Sequence, residues 1–166
     1  MNRRQWLLGA TSLFAARIAP ASGGESASAF PLAKSKAEWK SLLPAESYRV
    51  LFEEDTEYPG SSPLDHEVRA GIYICAACFQ PLFDSKTKFD SRTGWPSFYD
   101  HLPAALGMKN DFRLLLPRTE YHCSRCGGHQ GHVFEDGPEP TGLRYCNNGL
   151  SLGFVPEPEA LPKLRS

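Results

Sequence analysis

Two pairs of cysteines stand at the same spacing, Cys75-Ala76-Ala77-Cys78 and Cys123-Ser124-Arg125-Cys126. A C-x-x-C turn directs two thiolates at one centre. Two such turns supply the four sulfurs of a tetrahedral Zn²⁺ site. Gly127 and Gly128, after the second pair, relieve a tight turn. A four-sulfur shell leaves no position open for substrate, so the expected role is structural. The ion would tie together segments 44 residues apart and reinforce a small core. Two disulfides are the competing reading in an oxidising compartment. A redox dithiol needs only one pair, and the βαβ setting usual for it is absent here.

The chain has five cysteines, so one is left over. Cys146 lies in Gly142-Leu143-Arg144-Tyr145-Cys146-Asn147-Asn148-Gly149. On a strand, alternation puts Arg144, Cys146 and Asn148 on one face and Tyr145 on the other. A guanidinium two residues from a thiol favours the nucleophilic thiolate; a buried, inert thiol is the bland alternative. His129-Gln130-Gly131-His132-Val133-Phe134 follows the second knuckle directly. With zinc already satisfied by sulfur, these imidazoles are suited to moving protons near neutral pH, or they are simply surface or core histidines. His66, His101 and His122 have no comparable context and read as structural or solvated. Thr93-Gly94-Trp95-Pro96-Ser97-Phe98 is a turn whose aromatics could be core or an apolar wall for a small methyl-bearing group.

The elements that must position these groups read as mainly β. Ser35-Lys36-Ala37-Glu38 has the form of a capping box, with Trp39, Leu42 and Leu43 at helical spacing and Pro44 as the stop. Tyr48, Leu51 and Phe52 suggest a second short helix, and Ser62-Pro63 a third, stopped near Gly71. From Ile72 the texture changes to short apolar or alternating runs: Ile72–Ile74, Phe112–Leu116, Thr119–Cys123, Val133–Phe134, Leu143–Cys146 and Leu152–Val155. Gly, Pro and Asp turns separate them, as in an antiparallel β domain. A short helical cap therefore precedes a β body. Fourteen Gly and fourteen Pro among 166 residues agree with a turn-rich fold.

The chain starts Asn2-Arg3-Arg4-Gln5-Trp6-Leu7-Leu8-Gly9, an arginine pair before an apolar run through Ala16. That is the order of a bacterial export signal of the twin-arginine kind. Ala19-Pro20-Ala21 and Ala27-Ser28-Ala29 are small-residue cleavage sites, and the run is too short for a mature membrane anchor. Residues 1–29 are thus read as signal and linker, 30–156 as one domain and 157–166 as an irregular tail. The periplasm is the expected location. Eighteen Lys and Arg against nineteen Asp and Glu give no basic field for nucleic acid.

Taken together, the chain resembles the methionine-R-sulfoxide reductases of the B type. The resemblance covers roughly Trp39 to Pro156. It rests on Tyr58-Pro59-Gly60, Lys88-Phe89-Asp90-Ser91, Gly94-Trp95-Pro96-Ser97-Phe98, both knuckles, Gly127 through Phe134, Asp136-Gly137-Pro138 and Gly142 through Cys146. It implies two antiparallel sheets, peripheral helices and one structural zinc. It also implies that Cys146 attacks the sulfoxide sulfur, with His129 or His132 as the acid. Trp95 and Phe134 hold the substrate methyl group, Asp136 and Arg144 organise the site, and Asn148 hydrogen-bonds within it. The implied product is methionine plus a sulfenic acid on Cys146. Many relatives carry a recycling cysteine at the position of Thr93, and many have serine at the position of Gly149. With Thr93 here, an external thiol of the thioredoxin or glutaredoxin kind is expected to reduce the sulfenic acid. A monomer acting on oxidised proteins is expected.

Two other classes fit the same residues less well. A zinc-stabilised binding module without catalysis has no use for a lone thiol in an oxidising compartment. A cysteine hydrolase built on Cys146 and His132 has the pair but not the usual peptidase sequence around its nucleophile.

Overall fold

The computed structural model describes residues 30–113 and 117–166. The export signal lies outside the described residues, as do the last three positions of the run Phe112–Leu116. Helix α1 (Lys36–Leu42) opens on a complete capping box. The Glu38 N–H donates to Ser35 Oγ, and the Ser35 N–H donates to the Glu38 carboxylate at 2.8 Å. Pro44 then precedes α2 (Ala45–Glu53), where its missing N–H is harmless. Buried Trp39 stacks on Phe52 at 4.9 Å and pins the two helices together. The turn at Ser62-Pro63 is a single 3₁₀ turn, Pro63–His66, rather than a helix reaching Gly71. The reason is local. The Glu67 carboxylate accepts from the Val68 and Arg69 N–H groups at 3.0 Å each and pairs with the Arg69 guanidinium, so those N–H groups are taken.

Among the described residues nine strands follow: β1 (Gly71–Cys75), β2 (Pro81–Asp84), β3 (Lys88–Phe89), β4 (Ser97–Phe98), β5 (Leu106–Asp111), β6 (Arg118–Cys123), β7 (His129–Phe134), β8 (Arg144–Asn147) and β9 (Leu152–Pro156). They form a three-stranded sheet in the order β2-β1-β9 and a six-stranded sheet in the order β3-β4-β8-β7-β6-β5. Every pairing is antiparallel. The expected strand over Phe112–Leu116 is corrected. The strand is β5, which ends at Asp111, and Phe112 beyond it is exposed. β5 is an edge strand with Met108, Lys109 and Asn110 turned to solvent, so it carries no apolar run to announce it.

Between the sheets lies a core of aromatic rings. Phe83 and Phe98 stack at 4.1 Å, Tyr73 meets Phe98 edge-on at 4.8 Å, and Tyr121 and Tyr145 close the layer at 5.4 Å. All five are essentially buried, each contributing about 1.5–3 kcal/mol. Tyr145 enters this core from β8, so its neighbours Arg144 and Cys146 point out of the opposite face, as alternation demands. At the centre of the larger sheet β7 and β8 approach closely through Gly131. A Cβ there would stand 1.9 Å from the Cys146 carbonyl oxygen, so any other residue would push the two strands apart. Beyond Pro156 the tail is irregular. Arg165 nonetheless docks on the first knuckle, with its N–H on the Cys78 carbonyl at 3.1 Å and its guanidinium 4.5 Å above the Phe79 ring. Among the described residues no helix is long and apolar enough to cross a membrane.

Candidate active site and metal centre

Cys75 ends β1, Cys123 ends β6, and each strand leads into its knuckle turn. The turns close in the same way. Phe79 donates to the Cys75 carbonyl at 2.8 Å, and Gly127 to the Cys123 carbonyl at 2.9 Å. Both residues adopt left-handed backbone, φ 64 at Phe79 and φ 73 at Gly127. The glycine fits this without strain; Phe79 is held there beneath Arg165. The four sulfurs lie within 4.8 Å of one another, all buried. Cys75 and Cys126 are 3.7 Å apart, and Cys78 and Cys123 are 3.5 Å apart. A disulfide needs about 2.05 Å, whereas a tetrahedron with metal–sulfur bonds of about 2.3 Å has edges of about 3.8 Å. The donor set fits a shared metal ion. Gln130, fully buried, donates to Cys75 Sγ at 3.6 Å.

Cys146 opens instead into a cleft of about 140 Å³. Thr56, Trp95, Arg118, His132, Phe134 and Asn148 line it with Cys146. Drug-sized ligands occupy about 300–1,000 Å³, so this cleft admits the tip of a side chain. Trp95 and Phe134 form apolar wall. The Trp95 indole N–H donates to the Glu57 carbonyl at 3.2 Å, which fixes the ring. Arg144 grips Asp136 with a two-pronged fork, both N–H···O distances 2.8 Å, and lies 4.4 Å over the Phe134 ring. Asp136 is half exposed and does not line the cleft; it acts on the site through Arg144. Burial pushes the Cys146 thiol up, while the neighbouring Arg144 guanidinium and Thr93 hydroxyl pull it down. Burial wins, so the resting form is the thiol. Arg144 favours the thiolate without being able to secure it alone.

The two histidines of β7 have different settings. His132 is the cross-strand partner of Cys146 and lines the cleft. Its Nε2 is 2.8 Å from Asp111 Oδ2, which leaves Nδ1 to exchange a proton. Asp111 in turn accepts from the Arg113 N–H at 2.9 Å and from Arg118 at 2.7 Å. Those bonds, the Arg113 N–H foremost and then His132, hold the Asp111 carboxyl well below its usual range. Burial pushes the His132 imidazole down, and Asp111 only partly offsets it. His129 is almost wholly buried and is absent from the cleft lining. Its Nδ1 sits 2.9 Å from Glu120 Oε1, off the ideal hydrogen-bond direction, and Lys109 reaches Glu120 at 3.1 Å. Burial works against the Glu120 carboxylate, but His129 and Lys109 more than offset it.

Asn148 reaches the cleft, yet both ends of its amide are committed to backbone. Its Oδ1 accepts from the Glu57 N–H at 3.1 Å, and its Nδ2 donates to the Gln130 carbonyl at 3.1 Å. Glu57, Asp111, Arg118 and Glu120 were not singled out from sequence. The Glu57 carboxylate is buried and accepts from the N–H groups of Gly149 and Leu150, at 2.5 and 2.9 Å. A Cβ on Gly149 would lie 2.0 Å from Ser62 Oγ, so Ser62 fills the space a larger residue would need. His101 bonds the Leu102 carbonyl at 2.8 Å, and His122 packs edge-on against Phe30; neither belongs to the cleft.

Over most of its length the chain is similar to known proteins. A model of the SelR domain matches residues 43–156. A peptide methionine sulfoxide reductase MsrB of Methanosarcina mazei is 54% identical over 125 residues, covering 75% of this chain and 89% of the relative. Those of Leifsonia xyli subsp. xyli and Agrobacterium fabrum are 52% and 49% identical, covering 78% and 74% of this chain and 95% and 92% of theirs. With two antiparallel sheets, a four-cysteine cluster and a lone thiol in a small cleft, the chain belongs to the SelR-domain family of the MsrB methionine sulfoxide reductases.

Proposed function

We propose that the protein reduces the R epimer of methionine sulfoxide in oxidised proteins, with Cys146 as nucleophile. The observation that carries this is the placement of Cys146. It is the one cysteine outside the buried tetrad, and it opens beside His132 into a cleft walled by Trp95 and Phe134. The apolar rings receive the methyl group, and the polar side of the cleft receives the sulfoxide oxygen. Cys146 gives up its proton, and its sulfur attacks the sulfoxide sulfur. His132 protonates the oxygen. The oxygen ends on Cys146 as a sulfenic acid, and the substrate leaves as the thioether. The thiol proton ends on that oxygen, so this half-reaction consumes no net proton. Arg144, oriented by Asp136, stabilises the thiolate as it forms.

The remaining thiols occupy the tetrad, so the sulfenic acid is reduced from outside by a thioredoxin-like or glutaredoxin-like dithiol, returning the thiol and releasing water. Cys75, Cys78, Cys123 and Cys126 hold Zn²⁺, which in a closed four-sulfur shell supplies stability and no chemistry. The Arg3-Arg4 pair and the apolar run after it support export to the periplasm by the twin-arginine route. Recovery of only full-length protein in the cytoplasm would rule that out. The reaction is tested with the separate R and S epimers of N-capped methionine sulfoxide, dithiothreitol as reductant and Cys146→Ser as control. Reduction of the R epimer alone, lost in the control, is the expected result. No reduction of either epimer by zinc-loaded protein with a titratable Cys146 overturns the reading.

A further inference from the structure

Asp111, the last residue of β5, is buried, and both of its carboxylate oxygens are engaged. Oδ1 accepts from the Arg113 N–H at 2.9 Å. Oδ2 accepts from Arg118 Nη2 at 2.7 Å and lies 2.8 Å from His132 Nε2. Arg118 stands directly across from Asp111, on β6, and lines the cleft together with His132. One carboxylate oxygen is thus shared between the ring beside Cys146 and a guanidinium of the same cleft.

Proton counting gives that sharing a consequence. Held by these donors, the Asp111 carboxylate stays ionised and can only accept. Nε2 of His132 must therefore carry a proton. In the neutral ring Nδ1 is then a bare lone pair, able to take the Cys146 thiol proton and pass it to the sulfoxide oxygen. The other tautomer would aim a lone pair at a carboxylate and leave Nδ1 with no room for that proton. Once Nδ1 is protonated, the ring is a cation 2.8 Å from the carboxylate, which stabilises it. Arg118 works against this, because it draws on the same oxygen and sets a positive charge nearby. Burial is the strongest influence on the ring and disfavours the cation; Asp111 favours it and Arg118 disfavours it. The other ionisable groups facing the ring are Glu120 from β6, His129 of β7 at 5.5 Å between centroids, and Cys146 from β8. Glu120 is itself engaged by His129 and Lys109.

We propose that Asp111 is a positioning residue of the reaction and Arg118 its counterweight. Asp111 keeps the His132 proton on Nε2 and leaves Nδ1 open for the proton that moves. Arg118, by sharing Oδ2, keeps the cation from being held too tightly to surrender that proton. Asp111 does not line the cleft and acts only through the ring. Its part in turnover rests on His132 being the acid of the proposed reaction; the tautomer and the two opposed pulls do not. Asp111→Asn separates these roles from simple packing. The Arg113 N–H needs an acceptor, so the amide oxygen turns to it and the NH₂ faces Nε2. Nε2 must then accept, the ring proton moves to Nδ1, and the thiol proton has no place to go.

The test is heteronuclear NMR of the His132 ring in the zinc-loaded full chain, its signals assigned by their loss in His132→Gln. The neutral ring is expected to carry its proton on Nε2. Asp111→Asn is expected to move that proton to Nδ1 and to lower the ring's titration midpoint by about one pH unit. It is also expected to lower kcat by about tenfold or more, with KM changed less than about twofold. Asp111→Glu keeps the acceptor and is expected to restore the Nε2 tautomer and most of kcat. Arg118→Met is expected to raise the midpoint by about half a unit, the opposite sign, so the test survives if Asp111→Asn misfolds. Glu120, His129 and Cys146 stay in place in all of these variants. A wild-type ring protonated on Nδ1 would overturn the proposal. So would midpoints that stay put, or move in the same direction, in the folded variants. A merely structural Asp111 would lower Tm and leave the tautomer and midpoint where they are. The titration needs no sulfoxide, so its failure is distinct from a failure of the proposed reaction.

Discussion

Strands β6 and β7 serve two centres with opposite designs. At one end they run into the knuckle Cys123–Cys126, where four sulfurs within 4.8 Å of one another are closed off from solvent. At the other end β6 contributes Arg118 and β7 contributes His132 and Phe134 to a cleft around a single thiol. The chemistry of sulfur is the same at both ends; coordination and access differ. The closed pole is built so that its thiols react with nothing, and its rigidity fixes the start of β7. The open pole keeps one thiol protonated but reachable, with His132, Trp95 and Phe134 beside it in the cleft.

The sharpest way to break this comparison is to alter one cysteine at each pole. Cys146→Ser is expected to lower kcat/KM on the order of 10³-fold or more, with metal content unchanged and Tm within about 2 °C of wild type. Cys123→Ser is expected to lose the metal and to drop Tm by more than about 10 °C, with activity falling only because the fold does. Calorimetry and metal analysis beside steady-state kinetics separate the two. If Cys146→Ser were as unstable as Cys123→Ser, Cys146 would be a structural thiol.

How legible each pole was in the sequence follows the same division. The four-cysteine pole was written locally, since each C-x-x-C fixes its own turn and the doubling implies a shared centre. Cys146 and its histidines were legible as types, and alternation along β8 correctly separated Tyr145 from Arg144 and Cys146. What the sequence concealed is what long-range pairing creates. Asp111 reaches His132 because β5, β6 and β7 lie side by side, 21 residues apart in the chain. Glu57 meets the turn after β8 at a separation of 92 residues. Neither spacing has a local signature. Strand β5 has no sequence signature because Met108, Lys109 and Asn110 face solvent in succession on an edge strand instead of alternating, and β2 to β4 are too short to show a period.

Within the open pole, the two histidines give a smaller and finer contrast. His132→Gln is expected to lower kcat by about 10²–10³-fold with little change in stability, because it removes the proposed proton donor beside Cys146. His129→Gln is expected to lower kcat less than about tenfold. It should instead lower stability by about 1–3 kcal/mol, since it disturbs a buried pairing with Glu120. Denaturant unfolding and single-turnover rates measure both. The reverse outcome would move the acid from His132 to His129.

The pH profile tests the same pair without a mutation. In the proposed reaction the reactive form carries one proton on the pair, as thiolate with imidazolium. Burial holds the Cys146 thiol above its ordinary 9.0 and the His132 imidazole below its ordinary 6.5. Between those limits the pair holds one proton in total, mostly on sulfur, and the reactive arrangement is a fixed minor fraction of it. The expected kcat/KM profile is therefore a broad plateau. It falls at acid pH only below about 6.5, where His132 takes a second proton, and at alkaline pH only above about 9, where the pair loses its last one. A rise continuing through pH 7 to 9 would show that thiolate formation alone limits the rate, with no acid engaged.

The smallest expected effect lies beneath the cleft. Glu57 ties the segment bearing Thr56 to the turn after β8 and, through its carbonyl, orients Trp95. Burial pushes its carboxyl pKa up, yet two backbone N–H groups hold it as an acceptor. Glu57→Gln keeps the shape but turns an NH₂ toward one of those donors, leaving a buried N–H unpaired at about 1–3 kcal/mol. The expected result is a lower Tm by several degrees. KM should rise by a few-fold as Trp95 loses its fixed position, with kcat and the pH plateau nearly unchanged. Glu57 touches neither the reacting sulfur nor His132, so a large fall in kcat would mean that the cleft wall, and not only the thiol and its acid, sets the rate of the chemical step.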